Sequence, residues 1–115
     1  MDKEEFWQSL EALVSQHPIT IDRPKGSTHP RHPEIIYPLD YGFLEGTYSG
    51  DSKGIDIWIG SLPERDLSAL VVTSDLAKQE VEIKLLLGCS NREKQEILML
   101  HQIGMQSAIL VKRNQ

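Results

Sequence analysis

Two short stretches hold the side chains best suited to chemistry. In Tyr37-Pro38-Leu39-Asp40-Tyr41-Gly42-Phe43, two tyrosines flank a proline turn. In Gly50-Asp51-Ser52-Lys53-Gly54-Ile55-Asp56-Ile57, a loop carboxylate (Asp51) and a strand carboxylate (Asp56) bracket a glycine-containing turn and can converge. Carboxylate oxygens are hard donors that suit Mg²⁺ far better than zinc. Phenols and guanidinium groups donate to phosphate oxygens. Residues 23–33 supply the cations: Arg23, Lys25 and Arg31 lie among three prolines and a glycine, with no large apolar side chain between them. That stretch is a loop. Metal-holding carboxylates beside cationic and phenolic donors are the components of phosphoryl transfer to water.

The hydrophobic pattern around these stretches predicts the framework. Residues 3–16 form an amphipathic helix, capped by Asp2 with Glu5 completing a capping box, and with Phe6, Leu10, Leu13 and Val14 on one stripe. Pro18 ends it, and a short strand Ile19–Asp22 follows. From residue 34 the period changes to two. Strands are expected at Glu34–Tyr37 and Gly42–Thr47, around Pro38. Ile55–Gly60 alternates, with the three isoleucines on one face and Asp56 and Trp58 on the other. Ser68–Ser74 and Val81–Leu87 read as further strands, and Ser90 and Glu93 form a capping box for a helix that Gly104 closes. Ser107–Lys112 is the last strand. Several short strands with helices at the ends predict a mainly β fold with α+β content, a small antiparallel OB-like barrel carrying an N-terminal and a C-terminal helix.

Composition bounds the rest. At 115 residues the chain is one domain, residues 1–115, and 39% hydrophobic with 25% charged residues is globular rather than disordered. Cys89 stands alone, which excludes a disulfide framework and a thiolate zinc cluster and fits a reducing compartment, the cytoplasm. A net charge of −5 and 6% aromatic residues argue against nucleic acid as a partner. A concentrated basic loop on such an acidic chain fits a small anion instead. The Met-Asp-Lys-Glu-Glu start is acidic where a signal peptide is basic, and no apolar run nears the ~20 residues of a membrane span, so no membrane is expected.

Ile21-Asp22-Arg23-Pro24-Lys25-Gly26-Ser27, Tyr37-Pro-x-x-Tyr41-Gly-Phe43 and Gly50-Asp51-x-x-Gly54-Ile55-Asp56-Ile57 together resemble the family I soluble inorganic pyrophosphatases, over residues 19–88. That family has an acidic-x-Pro-Lys-Gly-Ser strand end, a Tyr-Pro-x-x-Tyr-Gly motif and an Asp-Gly-Asp-Pro-x-Asp motif. The resemblance implies a barrel of the pyrophosphatase type. It places Asp22 at a metal- or water-linked acid, Arg31 at a phosphate-contacting lysine, and Tyr37 and Tyr41 at the motif tyrosines. Asp51 and Asp56 match the first and last metal carboxylates, and Asp75, Glu82 and Lys84 match an Asp followed by Asp-x-Lys, which supplies metal ligands and a phosphate-binding lysine. Lys53 stands where the family has its middle carboxylate, and the hairpin arm with an Asp-Arg pair and the C-terminal Tyr-Lys pair are missing. Arg23 or Lys25 can stand in for the lost arginine, and Lys53 can bind phosphate directly.

The expected activity is Mg²⁺-dependent hydrolysis of inorganic pyrophosphate, or of another small diphosphate, by a metal-activated water. Asp22, Asp56 and Tyr41 are the catalytic candidates. Lys25, Arg31, Tyr37, Tyr41, Lys53 and Lys84 are the substrate-binding ones, and Asp51, Asp56, Asp75 and Glu82 the metal ligands. The competing expectation is a catalytically impaired barrel that binds a phosphorylated ligand or a protein. The N-terminal apolar stripe and the small size suggest a homo-oligomer. His29 and His32 sit in a proline-rich loop without an evident third ligand, and Cys89 is read as structural.

Overall fold

The computed structural model describes residues 2–50 and 52–114, apart from the side chains of residues 52 and 53. Helix α1 spans Lys3–Gln16, and Asp2 caps it by accepting from the Glu5 N–H at 2.9 Å. Strands β1 (Ile19–Arg23), β2 (Asp40–Ser49) and β3 (Ser52–Ile59) follow, then β4 (Leu67–Asp75), β5 (Glu80–Leu87), helix α2 (Asn91–Leu100) and β6 (Gln106–Lys112). Ser90 and Glu93 complete the capping box expected for α2, with hydrogen bonds in both directions. The helix closes at His101, three residues before Gly104.

The sheet has the order β1-β2-β3-β5-β4-β6. β1, β2 and β3 form an antiparallel meander, and β4 and β5 an antiparallel hairpin. The hairpin presents β5, not β4, to β3. Because β3 and β5 are separated by one further strand in the chain, they run parallel, with Asp56 opposite Lys84 and Trp58 opposite Leu86. The expected all-antiparallel barrel is therefore an open mixed sheet: β1 and β6 are its two ends, and it is not closed. Alternation along each strand cannot anticipate this, because it reports which face a residue takes and not which strand lies alongside.

The strand expected at Glu34–Tyr37 is absent. Residues 24–39 form a loop that folds on itself, with Tyr37 N–H donating to Ser27 O, Gly26 N–H to Tyr37 O, and a single bridge between Thr28 and Ile36. Pro33 and Pro38 bracket the segment and have no N–H to give a ladder.

Each face of the sheet carries its own core. On one face, α1 packs Trp7, Leu10 and Val14 against Leu44, Ile57, Ile59, Leu70, Leu85 and Leu87. Trp7, not Phe6, anchors that helix: Phe6 is 42% exposed, and the buried stripe runs at i, i+3 and i+7 from Trp7. Arg113, just past β6, ties α1 down through Glu4 and Glu11. On the other face, α2 contributes Ile97 and Leu100, and the proline loop contributes Tyr37 and Leu39, against Trp58, Val71 and Leu86. Among the described residues no helix is long and apolar enough to cross a membrane.

Candidate functional site

The second face is where polar side chains gather, and register explains which ones. Across the sheet, Arg23 lies opposite Tyr41, Tyr41 opposite Trp58, and Trp58 opposite Leu86. Directly opposed residues on neighbouring strands project to the same face. The next row holds Phe43, Asp56, Lys84 and Val71, and the one beyond it Glu82 and Thr73. β1 reaches this arrangement through a bulge. Ile21 pairs with Gly42 and Arg23 with Tyr41, leaving Asp22 unpaired between them. An uninterrupted ladder puts Asp22 opposite Tyr41; the extra residue turns Asp22 outward, where it is exposed, and hands the inward position to Arg23.

Lys84 is the centre of the polar cluster. Its ammonium donates to the Tyr41 hydroxyl and to Asp56 Oδ2, both at 2.8 Å, and lies 3.7 Å from Glu82 Oε2. All three ammonium protons therefore have an acceptor in view. The Lys84 side chain is only 7% exposed, while Asp56 and Glu82 are 25% and 29% exposed, so the carboxylates form the open rim of a buried cation. Burial works against the Lys84 charge, but Tyr41 and Asp56 outweigh it and hold its pKa above the usual lysine value. Burial also pushes the Tyr41 phenol well above the usual tyrosine value; Lys84 opposes this and Asp56 reinforces it. Glu82 is raised as well, first by burial, with Lys84 pulling it down and Asp56 and Glu80 adding to the rise. At neutral pH the cluster is thus a neutral phenol, a fixed ammonium and two carboxylates, one of them with an elevated proton affinity.

An aromatic row borders the cluster. The ring centroids of Tyr37 and Tyr41 are 5.8 Å apart and those of Tyr41 and Trp58 4.5 Å apart. His29 extends the row at the loop end, parallel to Tyr37 at 6.3 Å. At the other end the Trp58 indole N–H donates to His101 Nε2 at 3.2 Å, and His101 Nδ1 faces Gln106 Oε1 at 3.2 Å. An indole can only donate, so the His101 proton resides on Nδ1 and the ring is neutral. Burial, then the nearby Lys84 charge, lowers its pKa to about 4, with Gln106 opposing. Arg23 donates to the Tyr37 hydroxyl, and its Cζ lies 5.5 Å from the centre of that ring.

Of the residues expected from sequence, the structure brings Tyr41, Asp56, Glu82 and Lys84 into one cluster, with Tyr37 one ring away. Lys25 and Arg31 lie on the exposed loop and contribute to its fold through backbone N–H groups, to Asp40 Oδ1 and His29 Nδ1 respectively. Asp75 caps the β4–β5 turn by accepting from Lys78 N–H at 3.1 Å. It lies four residues along β4 from Val71, the partner of Lys84, or about 13 Å at the usual strand rise. Asp51 and the Lys53 side chain lie outside the described residues. Trp58 and His101 join the site without having been singled out in the sequence; Arg23, expected in the basic loop and as a stand-in for the lost arginine, joins it from the last position of β1 instead. Buried Cys89 has its thiol pushed up to about 12 by burial and then Glu93, which makes it a poor nucleophile.

Among the described residues, no three His, Cys, Asp or Glu side chains converge as a metal group. Asp56 and Glu82 nonetheless offer two adjacent hard-oxygen donors at a solvent-reachable rim, chemistry that fits Mg²⁺. Set against known proteins, the chain matches no family model, no curated protein and no solved structure.

Proposed function

We propose that this chain hydrolyses a small diphosphate, inorganic pyrophosphate in the first instance, in a magnesium-dependent reaction at the Tyr41–Asp56–Glu82–Lys84 cluster. The observation that carries the reading is a nearly buried ammonium held at 2.8 Å by a phenol and a carboxylate, with a second carboxylate at the same open rim. Magnesium held by Asp56 and Glu82, with Asp51 as a further candidate ligand, supplies charge neutralisation and a more acidic bound water. Lys84 and the Tyr41 hydroxyl are the donors for phosphoryl oxygens, and Tyr41 stays protonated because burial raises its pKa. Water adds to one phosphorus as the bond to the bridging oxygen breaks, giving two phosphates. A water made more acidic in this way would give its proton to solvent at the open rim, since the β1 bulge turns Asp22 outward, away from the cluster.

The strand order supports the same reading. β1-β2-β3-β5-β4 with β3 and β5 parallel is the order expected of a five-stranded Greek-key barrel, here with β6 paired to β4. On this proposal the open sheet is a divergent form of the OB-like barrel of the pyrophosphatase type.

Phosphate release from pyrophosphate, with Mg²⁺ and again with excess chelator, tests the function. The expected result is release that requires Mg²⁺ and falls at least a hundredfold in Asp56→Asn. No release by the folded wild-type protein overturns it.

One observation favours a second reading: Lys84 already engages both carboxylates, so the cluster is partly neutralised without a metal. An anion-binding protein without turnover then follows. In that case Asp56→Asn removes a negative charge from the pocket and tightens phosphate binding in chelator.

A further inference from the structure

Without a metal, the two carboxylates and one ammonium of the cluster carry a net negative charge, which repels a phosphorylated ligand. Recognition of such an anion therefore needs a cation that is not already matched by a carboxylate. On this face of the sheet Arg23 meets that condition. Among the described residues it forms no ion pair; its one described side-chain partner is the Tyr37 hydroxyl, and Asp22 acts on it only at longer range. A guanidinium has five N–H donors in a planar fork, so most of that capacity remains for a ligand.

Its placement is built into the strand. The bulge at Asp22 gives Arg23 the position opposite Tyr41, and the Tyr41 hydroxyl in turn accepts from Lys84. Arg23 is half-buried against the Tyr37 ring, and Tyr37 and Tyr41 are neighbours at 5.8 Å. Two cation–phenol pairs, Arg23 with Tyr37 and Lys84 with Tyr41, thus stand one ring apart on the same face. His29 stacks on Tyr37 and extends the outer pair along the proline loop.

We propose that Arg23 receives the second phosphoryl group of the substrate, making the site selective for an anion with two adjacent phosphoryl groups over a single phosphate. This rests on the diphosphate reading above. Lys84 and Tyr41 take the phosphoryl group that is attacked. Arg23, oriented by Tyr37, takes the other through paired N–H donors, which a single phosphate has no means to engage while it sits at Lys84.

The test compares wild type with Arg23→Gln and Arg23→Lys, using Mg²⁺-dependent turnover of pyrophosphate, inhibition by inorganic phosphate, and calorimetric titration of both anions in chelator. Charged hydrogen bonds of this kind predict a rise in pyrophosphate KM or Kd of about ten- to a hundredfold in Arg23→Gln, with phosphate affinity changed less than about twofold. Arg23→Lys keeps the charge but loses the fork, so a several-fold loss confined to pyrophosphate is expected; it decides the matter if Arg23→Gln does not fold. Equal losses for both anions, or no loss, overturn the placement, while wild-type turnover leaves the hydrolysis reading standing. If wild type binds pyrophosphate without turning it over and the Arg23 variants weaken that binding, the placement holds and hydrolysis is overturned. No binding and no turnover by wild type overturn both.

Discussion

Lys84 is the side chain on which the site turns. It is nearly buried, and three oxygens from three strands meet it. Lys84→Met leaves Asp56 and Glu82 facing each other with no counter-charge. Removing one partner of a buried pair costs about 3–5 kcal/mol, and the roughly quarter exposure of both carboxylates here reduces the expected loss to about 2 kcal/mol. The sign of its pH dependence is fixed by the same physics. Without the ammonium, mutual repulsion raises the folded-state carboxyl pKa above the unfolded value. The stability this contributes is present at low pH and lost as pH rises through the folded pKa. Urea denaturation of Lys84→Met should therefore show a larger deficit at pH 8 than at pH 5; an equal deficit at both would mean the carboxylates do not feel each other.

Among the elements, the β1–β2 pair decides which side chains face the cluster. The two strands approach so closely that a Cβ added at Gly42 would lie 1.8 Å from Thr20 O. No side-chain rotation relieves a contact with backbone, so Gly42→Ala must push β1 away from β2. Overpacking of this kind costs about 3 kcal/mol. The shift also moves Arg23 relative to Tyr41, its register partner. The expected outcome is a lower urea midpoint together with weaker pyrophosphate binding. A variant of unchanged affinity would show that Arg23 acts independently of the β1–β2 register. Asp22 illustrates the limit of motif reading at this level. Its type and spacing match an acidic site residue, but a single bulge sends it outward.

At the level of the whole molecule, His101 links three elements: it caps α2, accepts from Trp58 on β3 and faces Gln106 on β6. Its pKa is lowered to about 4 by burial and by Lys84, so the unfolded chain binds the proton more readily than the folded one. Stability from the neutral ring is complete above the ordinary histidine value and declines on acidification toward pH 4. A shift from 6.5 to about 4 corresponds to about 3 kcal/mol over that window. Urea denaturation from pH 7 down to pH 4 should show this decline in wild type and a shallower one in His101→Gln. Parallel curves for the two proteins would exclude His101 as the source.

Much of this architecture is local and therefore readable from sequence. Both helices start where Asp2 and Ser90 cap them, and the alternation of Ile55, Ile57 and Ile59 with Asp56 and Trp58 sorts these residues correctly onto two faces. Caps, turns and period depend on neighbours a few residues away, so composition and spacing suffice. The site depends on contacts of another kind. Lys84 reaches Asp56 across 28 residues and Tyr41 across 43, and Trp58 meets His101 across 43. Those meetings follow from β5 lying beside β3 and from the bulge in β1, both of which are choices of register and strand order. A period of two assigns a side chain to a face but is satisfied by any neighbour on that face, so only the folded packing selects Arg23 over Asp22 and joins Lys84 to its three partners.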